Sequence, residues 1–232
     1  MKGEAVATAA DEMWSPTKAL SMAKTPREVE AMYDSWAATY ERDMEEHKSG
    51  AQRGTVVVCG RHLDKNDRVL IVGAGTGMGA LYLRQLGFRH LDGHDGSRKM
   101  LEEARKRQLF DNYMVEMLEP HKLGSCFQSG RYDAVVNFGC FIPGCLDERH
   151  LEALLDPIKP GGKLVLSTRE IFLRPLTREL QEKLGSADYP YNLELKLESL
   201  VEQGRLKLLE RVTIPRYADE YDGACFVFQL TK

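Results

Sequence analysis

Long apolar runs are missing from this sequence. No stretch approaches the roughly 18 uninterrupted apolar residues that a membrane-crossing helix needs, and the opening MKGEAVATAADEMWSP has no apolar segment behind a basic start. The expectation is a cytoplasmic protein that does not enter a membrane. An excess of positive charge is missing too. Against 32 Lys and Arg stand 35 Asp and Glu, a formal net charge of −3, and the signs are interspersed, so no basic face offers itself to a phosphate backbone. Nucleic acid is therefore not an expected partner. Cysteine is sparse: Cys59, Cys126, Cys140, Cys145 and Cys225 form an odd, scattered set with no C-x-x-C pair. That excludes a disulfide framework and predicts free thiols, with Cys140 and Cys145 as ordinary buried or loop residues. The 6 histidines show no ligand spacing such as H-x-x-x-H, so no metal site is expected. Internal repeats and low-complexity segments are absent as well.

What remains is a chain of 232 residues, 43% hydrophobic, enough to bury the core of one domain. Residues 1–24 lack any sustained period and read as a flexible tail. The domain is expected over 25–232, with 25–66 as a helical region ahead of the sheet. In TPREVEAMYDSWAATYERDMEEHK, Thr25 is placed to cap a helix, Pro26 sits at its first position and Glu28 completes a capping box. Tyr33, Trp36 and Tyr40 then fall near one helical face, where they serve either the core or a ligand. The pattern fits this helix whether broken or continuous, and a second amphipathic segment covers about 51–63.

Strand-like and helix-like stretches then alternate. VLIVGA, HLDGHD, NYMVEML, RYDAVVNFG and KLVLSTRE read as strands; LYLRQLG, SRKMLEEARKRQ and DERHLEALLDPI read as helices. Alternation of this kind predicts crossover connections and a parallel sheet covered on both faces. KPGG at 159–162 reads as a turn that ends a helix, LELKLESLVEQ as a further helix, and RLKLLERVTIPRY with GACFVFQLTK as a closing antiparallel pair. Asp133 reads as a structural turn acid and EARKR as a solvated helix face. The fold class is α/β: a doubly wound, mostly parallel seven-stranded sheet with an antiparallel closing strand and an N-terminal helical lid.

One stretch carries chemistry. In VLIVGAGTGMGALYLRQLG, Gly73, Gly75, Gly77 and Gly79 lie between a strand and a helix. A turn with so little side chain lets backbone N–H groups approach a ligand beside the positive end of a helix dipole. Asp95 follows at the end of the next strand, where an acid accepts hydrogen bonds from ribose hydroxyls. Turn and acid together indicate a nucleoside. Which nucleoside stays open, because Gly75-x-Gly77-x-x-Ala80 also satisfies the dinucleotide fingerprint. The long aromatic segment ahead of the glycine strand favours a lidded site.

In this order and spacing, YDSWAATYERD, GHDGSRKMLEEAR, YDAVVNFG and KPGGKLVLSTRE resemble the class I S-adenosylmethionine-dependent methyltransferases over about 25–232, and within them the methyltransferase-like proteins of the Williams–Beuren region. The resemblance implies that Gly73, Ala74, Gly75 and Gly77 line the methionine portion and ribose, and that Asp95 holds the ribose hydroxyls. It sets Gly96 and Ser97 beside the adenosine, and Met117 and Leu118 against the adenine, although EMLEP departs from the family's usual Gly-Asp or Asp-Ala pair there. Asn137 and Phe138 match positions whose backbone meets the cofactor's amino group, and Tyr33, Trp36 and Tyr40 belong to a lid. The implied cofactor is S-adenosylmethionine, the product S-adenosylhomocysteine, and the reaction methyl transfer to a small-molecule acceptor. No Asn-Pro-Pro-Tyr motif follows the fourth strand. Candidate catalytic residues by loop position are His150, Arg169, Glu170, Tyr217, Glu220 and Tyr221. A NAD-linked oxidoreductase and a non-catalytic S-adenosylmethionine-binding protein remain as alternatives.

Overall fold

A computed structural model describes residues 25–47, 49–184, 190–218 and 221–231; the tail expected over 1–24 and candidate Glu220 lie outside them. Among the described residues, helices α1 (Pro26–Trp36), α2 (Tyr40–Glu46) and α3 (Ala51–His62) precede strand β1 (Arg68–Val72). Then come α4 (Met78–Gln85), β2 (His90–Asp95), α5 (Arg98–Lys106), β3 (Asn112–Val115) and β4 (Tyr132–Phe138). After them follow α6 (Leu151–Leu155), β5 (Ile158–Arg169), α7 (Arg178–Leu184), α8 (Leu193–Glu202), β6 (Leu206–Ala218) and β7 (Tyr221–Leu230).

The strands form one seven-stranded sheet in the order β3-β2-β1-β4-β5-β7-β6. β1 to β5 are parallel, and β7 runs antiparallel between β5 and β6. Period-two side-chain alternation explains why both faces are covered. Val69 and Ile71 of β1 join a cluster with Val56, Leu83 and Leu101 from α3, α4 and α5. Leu70 and Val72 point the other way, into a cluster with Leu151, Leu154, Leu197 and Leu200 from α6 and α8. Leu70 is fully buried, so truncating it to Ala is worth about 2–5 kcal/mol of stability.

Chain order reverses at the centre of the sheet, where β1 has β2 on one side and β4 on the other. A crevice opens at the carboxyl ends of such strands, and ligands of doubly wound folds bind there. The opposite ends are sealed by a polar cluster that the sequence does not announce. Asp92, 2% exposed, accepts hydrogen bonds from Arg68 Nη2 (3.1 Å), Tyr132 Oη (2.9 Å) and Asn112 Nδ2 (2.8 Å), tying the parallel strands together. Asp133 is structural, as expected: it accepts from Arg68 N at 2.9 Å and from Lys159 Nζ at 2.6 Å.

Several boundaries need correction. KPGG does not end a helix; it lies within β5, at an irregularity between the Tyr132–Ile158 and Ala134–Lys163 pairs, with Gly161 at φ +79°. The expected helix over DERHLEALLDPI is a 3-10 turn, Glu148–His150, followed by the five residues of α6. NYMVEML pairs only as far as Val115, which leaves Met117 and Leu118 on a loop. α4 starts at Met78, three residues earlier than LYLRQLG suggested, because Gly77 in the left-handed conformation is its N-cap. The expected capping box at Thr25 forms, with Glu28 N donating to Thr25 Oγ1 at 3.3 Å and Thr25 N to Glu28 Oε2 at 3.0 Å. The break that separates α1 from α2 falls at 37–39 and is bridged by Trp36 Nε1 donating to Asp43 Oδ2 at 2.9 Å. All five cysteines are free thiols, and among the described residues no helix is long and apolar enough to cross a membrane.

Candidate functional site

A cavity of about 440 Å³ opens at the carboxyl ends of β1, β2, β3 and β4, within the usual range of about 300–1,000 Å³ for small-molecule sites. Val72 and Gly73 at the end of β1, Asp95 to Ser97 at the end of β2, Glu116 to Leu118 just past β3 and Phe138 to Cys140 at the end of β4 all line it. α1 and α2 roof it, contributing Val29, Tyr33 and Tyr40.

The glycine turn contributes bare backbone. Gly75 sits at φ +56° on the cavity wall, and a Cβ built there meets no atom within 4 Å: the space it would fill is the cavity itself. Gly73 is glycine for another reason, since at φ +70° its Cβ would come within 2.1 Å of Cys140 Sγ. With Gly77 as N-cap, no side chain closes the first turn of α4, so its N-terminal dipole is available to a polar ligand. Asp95 organises the turn. Its Oδ2 accepts from Gly75 N and its Oδ1 from Ser97 N, each at 2.8 Å. Burial pushes its carboxyl up to about 6, against the pull of those two N–H groups.

The roof is fastened to this frame by carboxylates. Asp34 of α1 accepts from Ser97 Oγ at 2.5 Å and from Lys99 N at 3.2 Å, at the start of α5. Glu41 of α2 accepts from Thr76 Oγ1 at 2.7 Å and also binds Arg107, which donates to Thr76 O at 2.6 Å. The middle residue of the glycine turn is thereby tied to the roof. Tyr33 Oη lies 3.5 Å from Cys145 Sγ, and burial raises the pKa values of Tyr33, Tyr40 and Cys140 well above their ordinary ranges.

Of the expected cofactor residues, Tyr33, Tyr40, Gly73, Gly75, Asp95, Gly96, Ser97, Met117, Leu118 and Phe138 line this one cavity. Four others are placed elsewhere. Trp36 turns to Asp43 and stacks with Tyr33 at 6.0 Å. Gly77 faces inward, where a Cβ would come within 2.5 Å of Leu109 Cδ1. Ala74 is buried, with its N–H on His94 O at 2.8 Å. Asn137 is fully buried: its Nδ2 donates to Val72 O at 2.9 Å and its Oδ1 accepts from Cys140 N at 3.2 Å, which fixes the turn after β4 from behind.

Among the candidate catalytic residues, His150 lines the cavity. It is buried beside Asp147, whose N–H stands 3.2 Å and whose Oδ1 stands 3.3 Å from His150 Nδ1. Burial works to raise the Asp147 carboxyl, but hydrogen bonds from His150 and Arg149 prevail and hold it well below the carboxylate range. Arg149 in turn stacks over Tyr191, 4.5 Å from the ring centre. The other described candidates are off the wall. Tyr217 is buried with its hydroxyl 2.9 Å from Ser167 Oγ; Glu170 pairs with Arg211 at 3.4 Å; Arg169 stands over Phe172; and Tyr221 packs beside Phe172 and Leu176. Arg169 ends β5, Tyr217 lies in β6 and Tyr221 opens β7, so these three belong to the sheet, while Glu170 opens the 3-10 turn that follows β5.

Residues that sequence reasoning did not single out include His94, Glu116, Ile142, Pro143, Leu146, Asp147, Arg149 and Tyr191, all on the wall. Burial lowers His94 to about 4, which keeps the ring neutral near pH 7.

A protein-family model described as a methyltransferase domain matches residues 69–162, the stretch that carries the glycine turn, Asp95 and β4. Methyltransferase-like protein 27 of Homo sapiens is 33% identical over 145 residues, covering 59% of this chain and 56% of that protein. The chain covers less than two thirds of the length of the curated relatives it matches. Among solved structures, a chain of the complex between the Haloferax volcanii Trm112 methyltransferase activator and a methyltransferase aligns with a TM-score of 0.66 at 18% identity, covering 88% of this chain and 98% of that one. The Burkholderia thailandensis 1,6-didemethyltoxoflavin-N1-methyltransferase, with bound 1,6-didemethyltoxoflavin and S-adenosylhomocysteine, aligns with a TM-score of 0.60 at 16% identity over 90% of this chain and 92% of its own. At these identities the structures establish the fold.

Proposed function

We propose that this chain, similar to a methyltransferase domain over residues 69–162 and to methyltransferase-like protein 27, is a class I, S-adenosylmethionine-dependent methyltransferase, that the cavity binds S-adenosylmethionine beneath α1 and α2 and that a methyl group passes to a small-molecule acceptor. The observation that carries this reading is the open space at Gly75: bare backbone at a helix start, beside a buried carboxylate at the next strand end, in one cavity of fitting size. The cradle fits the cofactor. Gly73 and Gly75 would face its amino-acid portion, Asp95 would accept the ribose hydroxyls, and Gly96, Met117 and Leu118 would flank the adenine.

S-adenosylmethionine supplies a methyl already activated on a sulfonium, so the protein's work is alignment and exclusion of water. Tyr33 and Tyr40, held neutral by burial, would close the cavity without adding charge. Ile142, Pro143, Leu146 and Tyr191 add apolar wall, and the Asp147 and Arg149 charges neutralise one another at 2.7 Å. This favours an uncharged, largely apolar acceptor small enough to sit under the roof. His150 is the proposed proton acceptor. When Nδ1–H turns to Asp147 Oδ1, the Nε2 lone pair is free to take a proton; when Nδ1 accepts from Asp147 N–H, Nε2 holds one.

Calorimetric titration with S-adenosylmethionine, S-adenosylhomocysteine and NAD tests the reading. Micromolar binding of both sulfur nucleosides without NAD is the expected result. Absence of both would overturn it, and binding without turnover over a broad acceptor panel would favour a non-catalytic role.

A further inference from the structure

Beside the adenine end of the cavity, three side chains from separate segments converge: His94 in β2, Glu116 just past β3 and Cys126 on the loop that follows. One potential ligand atom from each lies within 4.8 Å of the other two. His94 is 2% exposed, and neither Nδ1 nor Nε2 makes a hydrogen bond of ordinary geometry, the Glu116 backbone being the polar group that bears on the ring. A neutral imidazole carries one donor and one acceptor, and a buried polar group left unmatched is destabilising. Its ring neighbour, Phe127, stands edge-on at 4.9 Å and offers no polar atom.

Glu116 is held as a ligand would be. Its Oε1 accepts from Ser125 N (2.8 Å) and Ser125 Oγ (2.7 Å), and its Oε2 accepts from Cys126 N (2.9 Å), leaving Oε2 a second lone pair. The Cys126 thiol lies against the same carboxylate. A backbone clamp thus aims an oxygen and a sulfur at the imidazole.

We propose that His94, Glu116 and Cys126 form a zinc site. Zinc takes nitrogen, oxygen and thiolate sulfur together, whereas magnesium and calcium favour oxygen ligands. Ligand atoms on one tetrahedral zinc stand roughly 3.3–3.8 Å apart, so the three draw in by about an ångström on binding. His94 and Glu116 also line the cavity, which leaves the fourth position to water. On binding, the Cys126 S–H bond breaks, its proton goes to solvent and the sulfur pair bonds the metal. His94 donates a ring lone pair, Glu116 is already an anion, and nothing is oxidised or reduced. The ion would pin the loop after β3, which carries Met117 and Leu118, to β2. Its role is positional, and it does not depend on methyl transfer.

The test uses the full chain without an affinity tag, stripped with chelator and free of cofactor. Zinc chloride is titrated against a chromophoric zinc indicator, and cobalt chloride is followed by its thiolate charge-transfer absorption. One zinc per chain, about one proton released per ion and a cobalt–thiolate band are expected. Outer-shell changes at zinc sites already cost 10–100-fold, so His94→Ala and Cys126→Ser should each weaken binding by on the order of 100-fold or more. His90→Ala, on an exposed histidine of the same strand, should bind as wild type does. No stoichiometric binding, or binding that Cys126→Ser leaves unchanged, overturns the proposal. If His94→Ala does not fold, loss of the cobalt band in Cys126→Ser decides alone. Because no cofactor is present, failure here leaves the S-adenosylmethionine reading standing, and the reverse also holds.

Discussion

The two ends of the cavity are built from different kinds of chain. Toward β2, the wall is strand-end backbone: Gly75 over open space, Asp95 locked between Gly75 N and Ser97 N, and Gly96 in close approach to Met117, whose Cε would lie 2.6 Å from a Cβ there. Away from it, the wall is side chain drawn from distant places, with Tyr33 and Tyr40 from the roof, Ile142 and Pro143 from the loop after β4, and Tyr191 from the approach to α8. The first end suits one invariant ligand, because backbone cannot vary with sequence. The second is shaped by residue type, because its lining is side chain and not sheet backbone, which would suit recognition of an acceptor.

Gly75→Val breaks that contrast most sharply. It puts a branched side chain into the cavity from a wall that works by having none, at a φ where L-residues pay about 1–2 kcal/mol. Cofactor affinity in calorimetry should fall by more than about 100-fold, since the ligand's path is filled. The melting temperature should fall by only about 2–8 °C, from the backbone strain alone, because nothing stands within 4 Å of the new Cβ. Unchanged affinity would show that the turn faces away from the ligand.

Asp95→Asn comes next. An amide must set its NH2 against the N–H of either Gly75 or Ser97, and it loses the charge that would hold two hydroxyls. The expected cost is about 1.5–3 kcal/mol in cofactor binding. The pH dependence separates binding from folding. Because the folded carboxyl is raised to about 6 from 3.8, its contribution to stability is fully present below 3.8 and is lost as pH rises through about 6. Cofactor binding, which uses the ionised form, should instead weaken as pH falls through about 6. Opposite slopes for melting temperature and affinity in wild type, both flattened in Asp95→Asn, are the expected signature. Parallel slopes would remove Asp95 from the ribose contact.

The same contrast explains what could be read before any fold was known. The alternation of strands with helices, the glycine turn and Asp95 were legible because they depend on local spacing along consecutive βα units, and local spacing is what a sequence displays. Gly77 was legible as part of the turn but not as a packing residue, since its contacts with Leu109 and Ala104 come from a separate unit. Asp92 and the His94, Glu116 and Cys126 group were hidden for a related reason. Each draws partners from neighbouring strand ends, and no one-dimensional period links residues 94, 116 and 126. The placing of Arg169 and Tyr221 within the sheet was hidden because pairing of β5 with β7 runs out to Arg169 and Gly223 and pairing of β6 with β7 reaches Ala218 and Tyr221, a register that the sequence pattern does not mark.

The smallest expected effect lies where the two ends meet. Glu41 reaches from α2 to Thr76 Oγ1 and Arg107, so the roof is coupled to the glycine turn through a single carboxylate. Its side chain is 38% exposed and that of Arg107 33%, so water and salt screen the pair, and such contacts are worth about 0.2–1 kcal/mol. Glu41→Gln keeps the shape and removes the charge. If the roof must lift for the cofactor to leave, the loss should appear in the dissociation rate, about 1.5–5-fold faster by stopped-flow displacement. The association rate should hardly change, and the wild-type difference should shrink at high salt. A slower association with unaltered dissociation would mean that Glu41 shapes the entrance rather than holding the roof down, and that the frame beneath it binds its ligand without help from α2.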